Sequence, residues 1–573
     1  MVISTGDILR RLSPYLKRKH PVDIIDLWPG AGLLSSKIND LLKPRRHVLL
    51  EPNVEGFGSI LKPLAASKAN YELLSIDPHT LDDWNDLMSK HLPEQGPSSC
   101  DTSGALAKNN TLLFLANPPP PVSKRDHYTP ARWWSVMLEM CMYQAGIHNY
   151  GSVRMLATMP PTEAQSIIPR TVMDRKRTAL LTESLALHAF EVAAPLDPGT
   201  WTMFKGWDLM LENAARVSER TAASKIEIPS GREPRPYTLA PESSEPGQKP
   251  TPHVPRIKVD LHDRILGAIN STEGTTDKDE RKKRVRAFIQ LNQDNRNTWN
   301  RLQIRDLKIQ RDELMKSLSR TAADPNSNSK TMKTLTDRIA GLNAEISKDF
   351  SSVHSQIHNG ASSLHDDRRT ALHTGNFDDA LLLWDRRPFE PLHIESEELY
   401  PRESDRSVIY FEPDPNSPIM QRVKAIEPSK RADVVRLFEA LILVFNNRSS
   451  MTVAELISLM LSHRPVNDIV RNIPSLATFA AKTPKADFDN QPKTVHPDAQ
   501  GNLDPVSCFQ ENIDYDLSDV RIRCLAVTDL WDILLEYLKS APDVSPVQFN
   551  RLLGGTLTSF RTGDHLVSHK RLH

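Results

Sequence analysis

A strand, a glycine turn and the start of a helix follow one another between residues 22 and 35. The run from Val22 to Leu27 is mainly apolar and contains β-branched residues, and the turn after it contains Gly30 and Gly32. Leucine and isoleucine then recur at helical spacing as far as Leu42. Glycine lets the backbone approach a ligand at the carboxyl end of a strand, where open α/β sheets bind their ligands. The pattern therefore predicts a nucleotide-binding α/β domain.

A second strand is predicted from His47 to Leu50, and it ends in Glu51. In dinucleotide-binding folds an acidic residue about 20 positions after the first turn accepts hydrogen bonds from ribose hydroxyls. Glu51 is placed for that role. A structural alternative stays open, in which the turn only packs a helix on the sheet and Glu51 caps the next helix.

Strands and helices continue to alternate as far as residue 200, which predicts a parallel sheet with helices on both faces. The third strand ends in Asp77, and the fourth runs into Asn117 and a series of prolines. A further strand is predicted at Val408–Phe411, and the sheet has seven strands if this strand pairs with the sixth. The predicted strands three to six are Tyr71–Asp77, Thr111–Ala116, Ser152–Met159 and Ala189–Val192.

The middle and the end of the chain follow other patterns. Residues 222–256 are rich in proline, serine and charge, as linkers are. Residues 277–357 are predicted to form an antiparallel helical hairpin that is broken at Asp324-Pro325, and the chain is predicted to be helical from about Ile419 onwards. We therefore expect four segments: a first α/β part, a linker with a helical insertion, the last strand, and a small helical C-terminal domain. Their ranges are 1–221, 222–380, 381–418 and 419–573.

The chain has 72 basic and 72 acidic residues, so no overall field attracts it to nucleic acid and any basic surface must be local. One candidate is a nucleic-acid patch formed by Arg170, Arg175, Lys176 and Arg177. Another is the run Arg281–Arg286, with five cations in six positions. For both, a solvated helix face is the alternative.

The four cysteines lie far apart, which argues against a zinc site or a disulfide framework. No apolar run reaches the roughly 18 residues of a membrane span, so no membrane contact is expected. Residues 9–19 are basic and free of acids, as in an organelle transit segment, but they equally suit the first helix of the domain.

Residues 26–32, Glu51, Asp77 and Asn117-Pro118-Pro119 resemble, in order and spacing, the cofactor motifs of the rRNA adenine N6-dimethyltransferase family. Residues 150–160 are more similar to its fungal mitochondrial transcription factor branch. The resemblance implies a seven-stranded S-adenosylmethionine-dependent methyltransferase (Rossmann-like) fold with a long helical insertion. It also implies a cofactor site for S-adenosyl-L-methionine formed by Asp26, Gly30, Gly32, Glu51, Asp77 and Asn117, with Asn117 as the catalytic candidate.

Two departures from the family pattern bear on activity. Trp28 stands where active members carry a glycine that lies against the cofactor, and we expect its indole to crowd the site. Pro120 replaces an aromatic residue that stacks on the target adenine, and a proline ring has no π face.

The resemblance therefore implies two main functions. One is a monomeric transcription initiation factor of the mitochondrial matrix that binds promoter DNA and assists mitochondrial RNA polymerase. The other is a methyltransferase of mitochondrial small-subunit rRNA. A ribosome-bound structural protein is a third alternative.

Overall fold

The computed structural model of this chain describes residues 2–18, 21–78, 81, 83–96, 108–120, 128–195, 205–233, 236–242, 252–398, 405–448, 450–498 and 500–555. An eight-stranded sheet forms its centre. The strands are β1 Asp23–Leu27, β2 Arg46–Leu50, β3 Tyr71–Leu74, β4 Lys108–Ala116, β5 Ser152–Met159, β6 Ala186–Pro195, β7 Leu392–Ile394 and β8 Ser407–Pro413.

The strand order is β3-β2-β1-β4-β5-β8-β6-β7, and β8 runs antiparallel to both of its neighbours. All seven predicted strands are present, and the last one pairs with the sixth as expected. The sheet differs from the prediction in two ways: it is mixed, and it has an eighth strand. That strand, β7, has three residues at the sheet edge, too few for an alternating pattern to identify it.

Helices cover both faces of the sheet. Leu113 and Leu156 pack on one face with the helices before and after β1, and Phe114 and Met155 pack on the other face with the helix that follows β4. The helices of this part are α1 Val2–Leu16, α2 Leu33–Leu42, α3 Val54–Ala66, α4 Trp84–His91, α5 Pro130–Tyr143, α6 Pro161–Ile167, α7 Arg177–Leu185 and α8 Trp207–Ala223.

Helix α1 contains residues 9–16 of the basic segment, so this part of the segment lies in the first helix of the domain. Leu12 and Leu16 are fully buried in the core. The ring of Tyr15 lies edge-on to Phe190 with ring centroids 4.9 Å apart, and the Tyr410 hydroxyl donates to the Tyr15 carbonyl at 3.1 Å. The apolar side of the segment is thus used in packing on the sheet.

The insertion between β6 and β7 is helical, and the predicted hairpin is confirmed. Helix α10 has 46 residues, a length of about 69 Å at 1.5 Å per residue. The chain turns at Asp324-Pro325, and Met332, Ile339 and Ile346 of the next helix are buried. This helix ends at Ser352, so the second helix of the hairpin does not reach residue 357 as predicted. The helices are α9 Asp260–Ser271, α10 Lys278–Ala323, α11 Ser329–Ser352 and α12 Ser355–Ala371.

The C-terminal region is mainly helical, as predicted, but it also contains two small antiparallel sheets that were not predicted. Thr452 and Glu455 form a capping box: the Glu455 N–H donates to the Thr452 hydroxyl at 3.2 Å, and the Thr452 N–H donates to the Glu455 carboxylate at 2.8 Å. The helices are α13 Pro418–Ala425, α14 Arg431–Asn447, α15 Val453–Met460, α16 Val466–Asn472, α17 Val527–Ser540 and α18 Pro546–Leu552. The strands are β9 Ala481–Pro484, β10 Val495–His496, β11 Phe509–Gln510 and β12 Ile513–Asp516, paired as β9–β12 and β10–β11.

Within the described ranges, no helix combines the length and the hydropathy that crossing a lipid bilayer requires.

A buried carboxyl group joins the insertion to the α/β part. Asp367 of α12 is 1 % exposed, and its Oδ1 accepts the Val172 N–H at 2.7 Å. Burial raises the pKa of Asp367 to about 8, against the opposing charge of Lys205. The folded protein therefore holds this proton up to higher pH than the unfolded chain does. The stability contributed by protonation is fully present below pH 4 and is lost as the pH rises towards 8.

We expect Asp367→Asn to remove this pH dependence, because asparagine keeps the acceptor oxygen and carries no charge. Relative to that of the unmodified protein, the free energy of unfolding of the variant should rise by about 1.4 kcal/mol per pH unit between pH 4 and 8. Urea unfolding at several pH values measures the gain. Asp337→Asn, at an exposed position of α11, is the control and should leave the profile unchanged. Parallel profiles for Asp367→Asn and the unmodified protein would contradict the prediction.

Candidate functional site

The carboxyl ends of three neighbouring strands lie side by side. Leu27 of β1 is in register with Leu50 of β2 and with Ala116 of β4. The next residue of each strand, Trp28, Glu51 and Asn117, therefore stands at the same edge of the sheet. The Trp28 N–H donates to the Leu50 carbonyl at 3.0 Å, and the Asn117 N–H donates to the Leu27 carbonyl at 3.0 Å. These bonds fix the relative positions of the three residues.

The Glu51 carboxylate is held by the turn that follows β1. Its Oε2 accepts the Gly30 N–H at 3.1 Å, and its Oε1 accepts the Asn53 N–H at 3.0 Å. Burial raises the pKa of Glu51 despite these two donors, and the nearby charges of Asp26 and Asp77 raise it further. Each oxygen keeps a second lone pair, so the group can still accept hydrogen bonds from a diol. Asp77 is half-buried and close enough to act on Glu51.

The two glycines of the turn have different roles. Both have positive φ, 57° at Gly30 and 69° at Gly32. A Cβ at Gly30 would meet no atom within 4 Å, whereas one at Gly32 would lie 2.9 Å from Leu61 and 2.7 Å from Leu64 of α3. Gly32 therefore serves helix packing, as in the structural alternative, and Gly30 borders open space.

The predicted direct contact of Asp26 with a cofactor does not fit the structure. Asp26 is 4 % exposed, and its Oδ2 lies 3.4 Å from Nε2 of the buried His47. The other ring nitrogen of His47 is 3.2 Å from the side-chain nitrogen of Asn39 in α2. Asp26 thus belongs to a polar group between sheet and helix, and it acts on the site through its charge.

Trp28 has the backbone conformation of a glycine and the side chain of a core residue. Its φ is 55°, in the left-handed region that glycine enters without penalty. Its indole is 5 % exposed and lies edge-on to Trp133 of α5, with ring centroids 6.1 Å apart. The indole therefore fills interior volume beside the turn, where a glycine would leave that volume empty.

The loop after β4 begins with the catalytic candidate. Asn117 is half-buried, and among the described residues its side chain forms no hydrogen bond. Pro118 is buried and Pro120 is exposed. Prolines fix φ near −65° and lack an N–H, so this segment is stiff and provides no backbone donors.

The predicted basic patch at residues 170–177 is wrong as a surface. Arg170 pairs with Glu191 at 2.7 Å, and Arg177 pairs with Glu139 of α5. Arg175 is 1 % exposed and pairs with Glu183 at 2.6 Å. All three guanidinium groups are buried, because each meets a buried carboxylate from another segment. Only Lys176 is exposed, so the four residues do not form a patch.

The basic run at the start of α10 does lie on the surface. Four of its five cations are exposed and Arg284 is half-buried. From the sequence, a solvated helix face remained the alternative for this run. The backbone donor of Asn53 beside Glu51 was not predicted, although Asn53 carries a sequence signal as a residue type that caps helices, as it does at the start of α3.

A scan against protein-family models found no match, and a search of curated proteins found no significant relative.

Proposed function

We propose that this chain is a mitochondrial transcription initiation factor with a methyltransferase-like fold, which acts as a monomer in the matrix and assists mitochondrial RNA polymerase at promoters. The observation that carries the proposal is Trp28. Its buried indole and its φ of 55° place a core residue at the position where active members of the resembling family have glycine. A protein that still transferred methyl groups would need that volume for its cofactor.

Two other features support the proposal. The first six predicted strands run parallel to one another, as expected, and the seventh predicted strand lies antiparallel beside the sixth. This arrangement supports the methyltransferase-like fold. At the end of β4, Pro120 is exposed where an aromatic ring would hold the target base, and base stacking is worth roughly 1 to 3 kcal/mol. The fold is thus retained while two contacts required for chemistry are replaced.

The experiment that tests this function has two parts. The tagged full-length protein is recovered from mitochondria, and its companions are identified. Purified protein is then added to mitochondrial RNA polymerase on a linear promoter template. The proposal expects polymerase among the companions and more promoter-dependent transcript. Recovery of ribosomal proteins without polymerase, together with an unchanged transcript yield, would reject it.

The second candidate is an S-adenosylmethionine-dependent rRNA adenine N6-methyltransferase. The observation in its favour is Glu51, which two backbone N–H groups still orient beside the open space at Gly30. A carboxylate in this place suits the ribose hydroxyls of S-adenosylmethionine. Cofactor binding could persist without methyl transfer, so binding and transfer are tested separately.

We expect S-adenosylmethionine to bind weakly and to raise the melting temperature only at high concentration. At ten times its Kd a ligand of the native state adds about 1.4 kcal/mol of stability. Glu51→Ala should abolish the shift, because it removes the diol acceptor. Glu55→Ala, at an exposed position of α3, is the control and should keep the shift. Submicromolar binding by calorimetry would contradict the expectation and favour the methyltransferase.

A further inference from the structure

The first turns of α10 present unpaired cations to solvent. Lys282 pairs with Asp279 at 3.0 Å. Among the residues that the structure describes, the other four cations of the run form no ion pair within 4 Å. These are Arg281, Lys283, Arg284 and Arg286. An unpaired cation on a surface is available to an anionic partner.

The acidic residues beside the run do not cancel it. Asp277 caps the helix by accepting the Asp279 N–H at 2.9 Å, and Glu280 accepts the Thr275 hydroxyl at 2.9 Å. Residues 277–286 contain six cations and three acids, a net charge of +3 in a chain whose total is zero. The positive field is thus concentrated on one short stretch of helix.

The same stretch exposes apolar and amide side chains. Val285 is 47 % exposed and Ile289 is 51 % exposed. They lie on the side of α10 away from Ala287 and Leu291, which are buried against Ile265 of α9.

The amide groups continue this face along the helix. Gln293 and Asn297 follow Ile289 in steps of four residues, and they line a shallow groove with Arg286. Gln293 Nε2 donates to Asn297 Oδ1 at 2.7 Å, which leaves the second N–H of Gln293 and the amide N–H groups of Asn297 for a base edge. Asp294 also borders this groove, but its carboxylate pairs with Arg256 at 2.5 Å and contacts His262 at 3.1 Å. This face therefore carries Arg281 and Arg286, then aliphatic groups, then amides. Lys283 and Arg284 precede Ala287 by four and three residues, so they lie towards the side that packs on α9.

We propose that this face of α10 is a docking surface for duplex DNA, with the helix lying in the major groove. The groove is about 12 Å wide and admits a single helix, which is about 10 to 12 Å across with its side chains. Arginine and lysine contact phosphates, amides pair with adenine edges, and aliphatic groups contact thymine methyls. The identification of the duplex as promoter DNA rests on the proposed function; the fit of charge and shape does not.

Duplex RNA fits this face less well. Its A-form major groove is deep and narrow, so side chains on a helix do not reach the base edges. An acidic segment of a protein would also satisfy the cations, but it gives no role to the amides that extend the face to Asn297. DNA uses all three kinds of side chain, and RNA and protein become outcomes of the test.

The test compares two charge-matched variants of the full-length protein. The first carries Arg281→Gln and Arg286→Gln, which remove the two cations of this face. The control carries Lys333→Gln and Arg338→Gln, at exposed positions of α11 in the same insertion. Glutamine forms helices well, so both variants should keep the melting temperature of the unmodified protein. The probe is a fluorescent DNA duplex of two helical turns, titrated at several salt concentrations without polymerase.

Two phosphate contacts predict a slope of log K against log salt of about −1.8, so doubling the salt should weaken binding by about 3.5-fold. The first variant should lose nearly all of this slope, and the control should keep it. An unchanged slope in the first variant, or an equal loss in the control, would overturn the proposal. Equal or tighter binding of an RNA duplex of the same sequence would also overturn it.

The outcome can be separated from that of the proposed function. If the first variant keeps its DNA affinity but no longer recovers polymerase, the face binds protein and the DNA proposal fails. If the unmodified protein binds DNA with the expected slope but does not recover or stimulate polymerase, the transcription function fails and the DNA surface stands.

Discussion

Replacing Arg175 with Ala is expected to lower the free energy of unfolding by about 3 to 5 kcal/mol, the usual cost of breaking a buried ion pair. Arg175 Nη2 donates to Glu183 at 2.6 Å, and Nη1 donates to the carbonyls of Arg523 at 2.8 Å and Leu525 at 2.5 Å. The substitution leaves the Glu183 carboxylate buried without its counter-ion and both carbonyls without this donor. The segment before α17 should therefore detach more easily from α7.

The midpoint of urea unfolding measures this loss, provided that the slope of the unfolding free energy against urea concentration is the same for both proteins. Lys176→Ala is the matched control, because Lys176 is adjacent and exposed, and its effect should stay within about 0.5 kcal/mol. Arg175→Lys should fall between the two, since lysine keeps the charge but not the fork of donors. If Arg175→Ala and Lys176→Ala have equal small effects on stability, the structural role of Arg175 is refuted.

Trp28→Gly is expected to destabilise the fold by about 2 to 4 kcal/mol while opening the turn to S-adenosylmethionine. Removing a buried tryptophan side chain costs about 3 to 5 kcal/mol. Relief of the left-handed φ returns about 1 kcal/mol. Every 1.4 kcal/mol of binding recovered would tighten cofactor affinity tenfold. Calorimetry and thermal unfolding measure the two effects separately.

Lys43→Gly is the control for the strain component. Lys43 has a φ of 45° and is exposed at the end of α2, so glycine there relieves strain without opening the core. It should stabilise the protein slightly and leave cofactor binding unchanged. Unchanged cofactor binding in Trp28→Gly would show that the indole does not limit the site.

A methyl-transfer assay tests the same site. We expect no labelled methyl incorporation by the unmodified protein into a small-subunit rRNA fragment that ends in adjacent adenines. Pro120→Phe alone should not restore transfer while Trp28 fills the turn. The double variant Trp28→Gly with Pro120→Phe is the fairer attempt at rescue, because it also restores a stacking face worth roughly 1 to 3 kcal/mol. Multiple-turnover incorporation by the unmodified protein would reverse the order of the two proposed functions.

Local patterns in the sequence determined most of the central fold. Each of the seven predicted strands is a short apolar run bounded by turn residues, and such runs are recognised without knowledge of their partners. The helical hairpin was predicted on the same basis, from its spacing and from the break at Asp324-Pro325. Strand β7 and the small C-terminal sheets were missed because two to four residues do not define a period.

Only the tertiary structure decided the roles of the charged residues. Arg175 and the Leu525 carbonyl that it binds are 350 residues apart. Asp26 was predicted as a cofactor ligand, but the strand order places it beside His47. The sequence shows where a charged residue stands along the chain. It does not show whether that residue is buried, because burial depends on partners that only the folded chain brings together. The position of Glu51 beside the glycine turn was predictable, because its donors, Gly30 and Asn53, lie in the two loops that the parallel pairing of β1 and β2 brings to one edge.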